Sequence, residues 1–213
     1  MKVKYLAHAS FLITSDSGTR IITDPYTADE RMRYGEIHEA ADIVTVSHDH
    51  FDHSNVAAVR GKPQVVRGTA QAEGIKFTAV AAHHDEAGGG KRGNDTIFCF
   101  EVDGVRVCHL GDLGHLLGDK QVSEIGRVDV LFIPVGGFYT IDAGAATRVC
   151  RQLRPRVIIP MHFKTERTSL PIAGVDEFLS GKNNVVHSDG SEASFKAGAL
   201  PAETQIIVLK PAL

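Results

Sequence analysis

Apolar positions along the chain come in short runs separated by polar turns, and most runs are too short for helices. Residues 3–6 and 11–14 read as strands, and the turn Ser15-Asp16-Ser17-Gly18 leads into Arg20-Ile21-Ile22-Thr23, predicting a hairpin. A β-branched run follows at 42–47, then further strands at 65–66 and 75–80. Residues 96–102, the Asp103-Gly104 turn and 105–110 predict a second hairpin. Runs at 128–134, 157–160, 185–186 and 206–209 complete the strands. Helices are fewer: 54–60 with Ser54 as cap, 120–125, 142–153 with Asp142 as cap, and 172–179 behind Pro171. The third puts Ala146, Val149, Cys150 and Leu153 on one face. Hairpins first and strand–helix alternation later predict an α/β chain of two sheets covered by helices. No repeat or Pro/Ser-rich linker divides it, so a single domain is expected over residues 1–213. The glycine-rich stretch 88–93 reads as a mobile loop between two strands.

The polar residues that close these strands are not ordinary turn formers. The run 20–23 ends in Asp24, 43–47 runs into His48-Asp49-His50-Phe51-Asp52-His53, and 77–80 leads to His83-His84-Asp85. Residues 105–108 lead to His109-Leu110-Gly111-Asp112, and 157–160 to Met161-His162. Five apolar strands thus deliver His or Asp at or just past their C-terminal ends, the edge where ligand sites gather in α/β architectures.

Composition sharpens this picture. The chain has 11 histidines among 213 residues and a net charge of -3, so it has no general electrostatic pull toward nucleic acid or anionic lipid. No apolar run approaches the roughly 20 residues of a membrane span, and Met1-Lys2-Val3-Lys4 opens a strand, not a signal peptide. Three scattered cysteines in apolar runs suggest buried thiols and a reducing, cytoplasmic setting. There is neither a Gly-x-Ser-x-Gly elbow nor a phosphate-binding Gly-rich loop.

Imidazole and carboxylate suit zinc and similar divalent ions. His48, His50, Asp52 and His53 lie within six residues, but one short loop cannot surround an ion. His84, Asp112 and His162, each at the mouth of its own strand, are the best further donors. His83 and His84 would point to opposite faces of a strand, and His84 is favoured because it lies nearer the loop. Asp49 is expected to face away.

The run His48-x-His50-x-Asp52-His53, with Asp24 before it and His84, Gly111-Asp112 and Ile159-Pro160-Met161-His162 after it, resembles the metallo-β-lactamase superfamily. The likeness spans residues 5–164. Within the superfamily, His8-Ala9-Ser10-Phe11, residues 109–115 and Pro134-Val135-Gly136-Gly137 are similar to the compact bacterial hydrolases that include an L-ascorbate-6-phosphate lactonase. The resemblance implies a four-layer αββα sandwich, with two mixed sheets face to face and helices outside. It implies two divalent ions, zinc first, with manganese, iron or nickel compatible. His48, His50 and His84 would hold one, Asp52, His53 and His162 the other, and Asp112 would bridge them. Asp24 would accept a ring N–H from a ligating histidine.

The implied activity is a metal-dependent hydrolysis, in which a metal-bridging hydroxide attacks a small ester, lactone or phosphodiester. Asp52 is the expected catalytic carboxylate, orienting the nucleophile or passing its proton to the leaving group. His8, His115, Tyr139 and Lys164 are candidates for substrate contact, while His109, inside a strand, reads as structural. Lys91, Arg92, Asn94 and Lys164 are available for an anionic group on a small-molecule substrate. A nuclease is the alternative that the charge balance disfavours. An iron-dependent oxidoreductase on this fold is disfavoured by His50, where the di-iron reductases carry Glu, and by the lack of room for a flavin domain.

Overall fold

A computed structural model describes residues 1–213. The strands run β1 (Lys2–Ala7), β2 (Ser10–Thr14), β3 (Arg20–Thr23), β4 (Ile43–Thr45), β5 (Gln64–Val66), β6 (Ala70–Ala72) and β7 (Ile75–His83). They continue as β8 (Asn94–Val102), β9 (Val105–His109), β10 (Val130–Pro134), β11 (Val157–Met161), β12 (Val185–His187), β13 (Glu192–Ser194) and β14 (Gln205–Val208). Three helices, α1 (Asp119–Ile125), α2 (Ala143–Leu153) and α3 (Val175–Leu179), lie between them.

One sheet has the order β13-β1-β2-β3-β4-β5 and the other β12-β14-β11-β10-β9-β8-β7-β6. Both are mixed: β1–β3 and β6–β9 pair antiparallel, whereas β3–β5 and β9–β11 pair parallel. The expected hairpins form, and Asp103 and Gly104 both take positive φ, 53° and 74°, as a two-residue turn between right-twisted strands requires.

Successive residues explain the layering. Ile21 and Ile43 face the core between the sheets, where Phe11 stacks on Phe132 at 4.1 Å. Their neighbours Ile22 and Val44 are equally buried on the other face. A strand buried on both faces reads as an uninterrupted apolar run, because alternate residues serve different layers. The outer face of the second sheet is covered by α2 and α3 through Ala146, Val149 and Phe178. Over the first sheet the cover is chiefly irregular chain carrying Tyr26, Met32, Tyr34 and Ile37. The architecture is the four-layer αββα sandwich. No helix is long and apolar enough to cross a membrane.

Two expected helices differ. Residues 54–60 form only a 3-10 turn at Val56–Ala58, without a side-chain cap. Their backbone is engaged elsewhere: Asn55 N–H donates to Pro25 O and Arg60 N–H to Glu39 O. The helix expected from 172 starts at Val175, because Ala173 N–H donates to Gly136 O and Ala173 O accepts from Lys164 N–H. The helix behind Asp142 forms as expected, its carboxylate accepting from Ala145 N–H at 2.7 Å.

Candidate metal centre

The parallel halves of both sheets aim their C-terminal ends at one place. Asp24 follows β3, the 48–53 loop follows β4, Asp112 follows β9 and His162 follows β11. His84 lies one residue past β7, at the end of the long β7–β8 hairpin.

Asp112 is buried at the centre. His53 Nε2 lies 3.2 Å from its Oδ1, while His84 Nε2 and His162 Nε2 lie 3.2 and 3.3 Å from its Oδ2. His48, His50 and His84 present donor atoms within 4.8 Å of one another. So do His8, Asp52, His53 and His162. His48, His53 and Asp112 form a third such group, so the structure gathers all seven side chains expected as ligands into one cluster.

The hydrogen bonds assign the ring tautomers. His53 Nδ1–H donates to Asp24 Oδ2 at 2.9 Å, which turns Nε2 inward. Ser47 spends its hydroxyl proton on Asp24 Oδ2 at 2.6 Å, so its oxygen accepts from His48 Nδ1–H at 3.0 Å. His84 Nδ1–H donates to Tyr139 O at 3.1 Å. In each ring the outer nitrogen carries the proton, leaving the Nε2 lone pair for the centre. His109 is the contrasting case: Nε2–H donates to Ala9 O at 2.8 Å and Nδ1 accepts from Gly111 N–H at 3.1 Å, so both nitrogens are spent on backbone.

The electrostatics follow from these contacts. Burial works against the charge of Asp112, but His162 and His53 overcome it and hold the carboxyl well below the usual range. Burial likewise opposes a charge on His53, and Asp112 and Asp52 reverse this, raising its affinity for a proton well above normal. Positive charge is thus favoured on His53, beside Asp112 and Asp52.

The remaining expected residues divide. His8 belongs to the cluster: its Nε2–H donates to Asp52 Oδ2 at 3.2 Å and its ring lies 4.1 Å from that of His162. Burial and His162 push its pKa down to about 4. Tyr139 is half-buried, with its carbonyl on His84. His115 stands off the cluster, its Nε2 accepting from His83 N–H at 3.1 Å. Lys164 is exposed, its Nζ donating to Leu170 O at 2.8 Å. His83 pairs with Asn94 at 3.2 Å and does not join the centre. Asp49 is exposed and pairs with Arg67.

Asp95, absent from the expected set, lies against the cluster through one carboxylate oxygen. It is buried, its Oδ1 accepts from Asp112 N–H at 3.1 Å and it lies 3.4 Å from His48 Nδ1. Gly111 makes room for it: a Cβ there would stand 2.3 Å from Asp95 Oδ1, and its φ of 54° already excludes most side chains.

Comparison with known proteins agrees with this geometry. The β-lactamase superfamily domain model matches residues 2–162. A UPF0173 metal-dependent hydrolase from Anaeromyxobacter sp. is 32% identical over 219 residues, covering 84% of this chain and 79% of the relative. One from Archaeoglobus fulgidus is 29% identical over 196 residues, covering 78% and 84% respectively. A Thermotoga maritima crystal structure, described as a Zn-dependent hydrolase of the metallo-β-lactamase superfamily, superposes with a TM-score of 0.80 at 35% identity. It covers 98% of this chain and 97% of its own. A Parabacteroides distasonis structure shares the fold at a TM-score of 0.65 and 21% identity, covering 98% of this chain and 93% of its own. By this match in sequence and fold, the chain belongs to the metal-dependent hydrolases of the metallo-β-lactamase superfamily.

Proposed function

We propose that residues 1–213 act as a single domain holding two divalent ions, and that it hydrolyses a small ester, lactone or phosphodiester. His48, His50 and His84 would hold one ion, Asp52, His53 and His162 the other, with Asp112 shared. The observation that carries this reading is the Asp112 carboxylate, which has imidazole nitrogens from three different strand ends within 3.3 Å.

The residues fit such ions. His53 Nε2 and Asp112 Oδ1 are buried without a hydrogen-bond partner. A buried polar group left so costs about 1–3 kcal/mol, which a coordinated cation would offset. Nitrogen and carboxylate donors suit zinc, with manganese, iron or nickel compatible. Bound there, such ions supply Lewis acidity, making water a nucleophile near neutral pH and polarising the substrate's carbonyl or phosphoryl oxygen.

The chain's own side chains supply the rest. Asp24, Ser47 and the Tyr139 carbonyl fix the rings of His53, His48 and His84 in the ligating tautomer. Asp52 sits at the rim of the buried cluster, where its carboxylate can orient the attacking water and hand its proton to the leaving group. His8, donating to Asp52 Oδ2, keeps that carboxylate facing inward. Three free thiols suit the reducing cytoplasm.

The test is metal content per chain together with hydrolysis of a panel of phosphodiesters, lactones and thioesters. The parent should carry two ions and cleave one class, and Asp112→Ala should carry one or none and lose turnover. Two ions and full turnover in Asp112→Ala would overturn the assignment.

A further inference from the structure

A cavity of about 430 Å³ opens beside His48 and His50, and Val46 is its sole apolar lining residue. Two arginines line it, one carried by each sheet. Arg67 follows β5 of the first sheet, and Arg92 lies in the loop joining β7 to β8 of the second.

Neither arginine has a structural task that uses up its charge. Arg67 pairs with Asp49, but both are exposed, at 48% and 84% of the side chain. Such a surface pair is worth about 0–1 kcal/mol, so an arriving anion displaces it at little cost. Arg92 is half-buried and forms no ion pair; its guanidinium lies 5.6 Å from the centre of the Tyr139 ring. Tyr139 also supplies the carbonyl that orients His84, so Arg92 is anchored to the same residue as a proposed ligand.

The glycine-rich loop carrying Arg92, expected from sequence to be mobile, is tied down. Asp85 is buried and accepts backbone N–H groups from Ala87, Gly89, Lys91 and Arg92 at 2.7–3.0 Å. A carboxylate wrapped by four amides sets the loop's path. The loop therefore presents Arg92 at the cavity at little further entropic cost on binding.

We propose that Arg67 and Arg92 form a subsite for an oxyanionic group of the substrate, a phosphate, phosphonate or carboxylate next to the bond that is cleaved. The proposal rests on the hydrolase reading above and names its substrate class. Guanidinium forks match oxyanions with paired N–H donors. Two of them against one carboxylate, Asp49, leave the cavity mouth positive and draw anions toward the centre. Asn94, also lining the cavity, adds an amide to the same wall.

Two measurements on the full chain test this. In the zinc-loaded protein, kcat/KM is compared for two esters that differ only in a terminal carboxylate or carboxamide. The parent should prefer the anionic ester at least tenfold at low salt, and the preference should shrink with ionic strength. Arg92→Gln and Arg67→Gln should each reduce that preference several-fold, and the double variant should abolish it. An unchanged preference in the double variant would overturn the subsite. The second measurement needs no turnover: calorimetric binding of phenylphosphonate and of benzoate, with and without zinc. The double variant should bind at least tenfold more weakly in both states, and the stronger probe identifies the oxyanion. Equal affinity in parent and double variant would refute the proposal, the anion then sitting elsewhere. If no ester, lactone or phosphodiester is cleaved by any form, the hydrolase reading fails while calorimetry still decides the subsite. Arg92→Lys, which keeps the charge but loses the guanidinium fork, should retain an intermediate preference.

Discussion

Asp24→Asn isolates the role of a single buried carboxylate. Asp24 Oδ1 accepts from Ser47 N–H at 2.8 Å, and Oδ2 accepts from Ser47 Oγ–H at 2.6 Å and His53 Nδ1–H at 2.9 Å. Asparagine keeps the shape but offers one oxygen and one NH2. If the NH2 faces His53, donor meets donor; if it faces Ser47 N–H, the same conflict moves to the backbone. Losing one charge-assisted bond and stranding one buried donor costs together about 3–6 kcal/mol. At about 2–4 °C per kcal/mol for a chain of this size, the metal-free Tm should fall by at least about 6 °C. His53 can escape by shifting its proton to Nε2, but that nitrogen then has no lone pair for a metal. Loss of such a partner typically weakens metal affinity by about 10–100-fold. At fixed free zinc the stabilisation by metal should then shrink by about 1.4–2.7 kcal/mol, or about 3–11 °C. Thermal unfolding with and without buffered zinc measures both quantities. A lower Tm with an undiminished zinc increment would make Asp24 a purely structural residue. No change in either would refute the hydrogen-bond network itself.

Other substitutions probe different layers. His84→Ala should lower metal content, whereas His83→Ala, which removes the contacts to Asn94 and to the His115 ring, should leave it at the parental value; atomic absorption on both decides which histidine ligates. Phe132→Ala removes a fully buried ring stacked on Phe11 and should cost about 3–5 kcal/mol in denaturant unfolding with an unchanged slope; a loss under 1 kcal/mol would contradict the packing. Gly136→Ala would bring a Cβ within 2.3 Å of His162 O, a backbone atom that cannot rotate away. It should destabilise by about 1–3 kcal/mol and reduce metal content, read by unfolding and metal analysis together.

The sequence made the site legible where the chemistry obeyed one rule, that ligands follow the C-terminal ends of strands. Asp24, His48, Asp112 and His162 all follow parallel strands, so a linear reading finds them. Asp95 breaks the rule. It is the second residue of β8, and β8 runs antiparallel to β9, with Phe98 opposite His109. The start of β8 therefore lies at the same edge as the end of β9. The usable signal was a buried carboxylate two residues before the apolar run 97–100 of β8, and it has meaning only once strand direction is known. The misjudged helices fail for a related reason. Local propensity at residues 54–60 and 172–174 was overridden by long-range backbone bonds to Pro25, Glu39 and Gly136, which no local pattern encodes.

Backbone conformation at the site departs from local preference in one consistent way. His8, Asp24 and His162 have φ of 57°, 39° and 50°, a region that non-glycine residues seldom occupy. Each stands directly after the last residue of its strand, at Ala7, Thr23 and Met161. A left-handed residue at a strand end turns the chain abruptly while the strand itself stays paired. The side chain is thereby carried across the mouth between the sheets instead of continuing the pleat. Each such conformation costs about 1–3 kcal/mol and persists only where the surroundings enforce it. Here the enforcement is visible: His162 N–H donates to His8 O at 2.9 Å, and Asp24 N–H donates to Thr45 O at 2.9 Å. The turns at His8 and His162 hold one another across the two sheets, and the one at Asp24 is held by the neighbouring strand. Strain at these strand ends is thus sustained by the paired sheets, and it carries His8 to Asp52, Asp24 to His53 and His162 to Asp112, three contacts of one cluster.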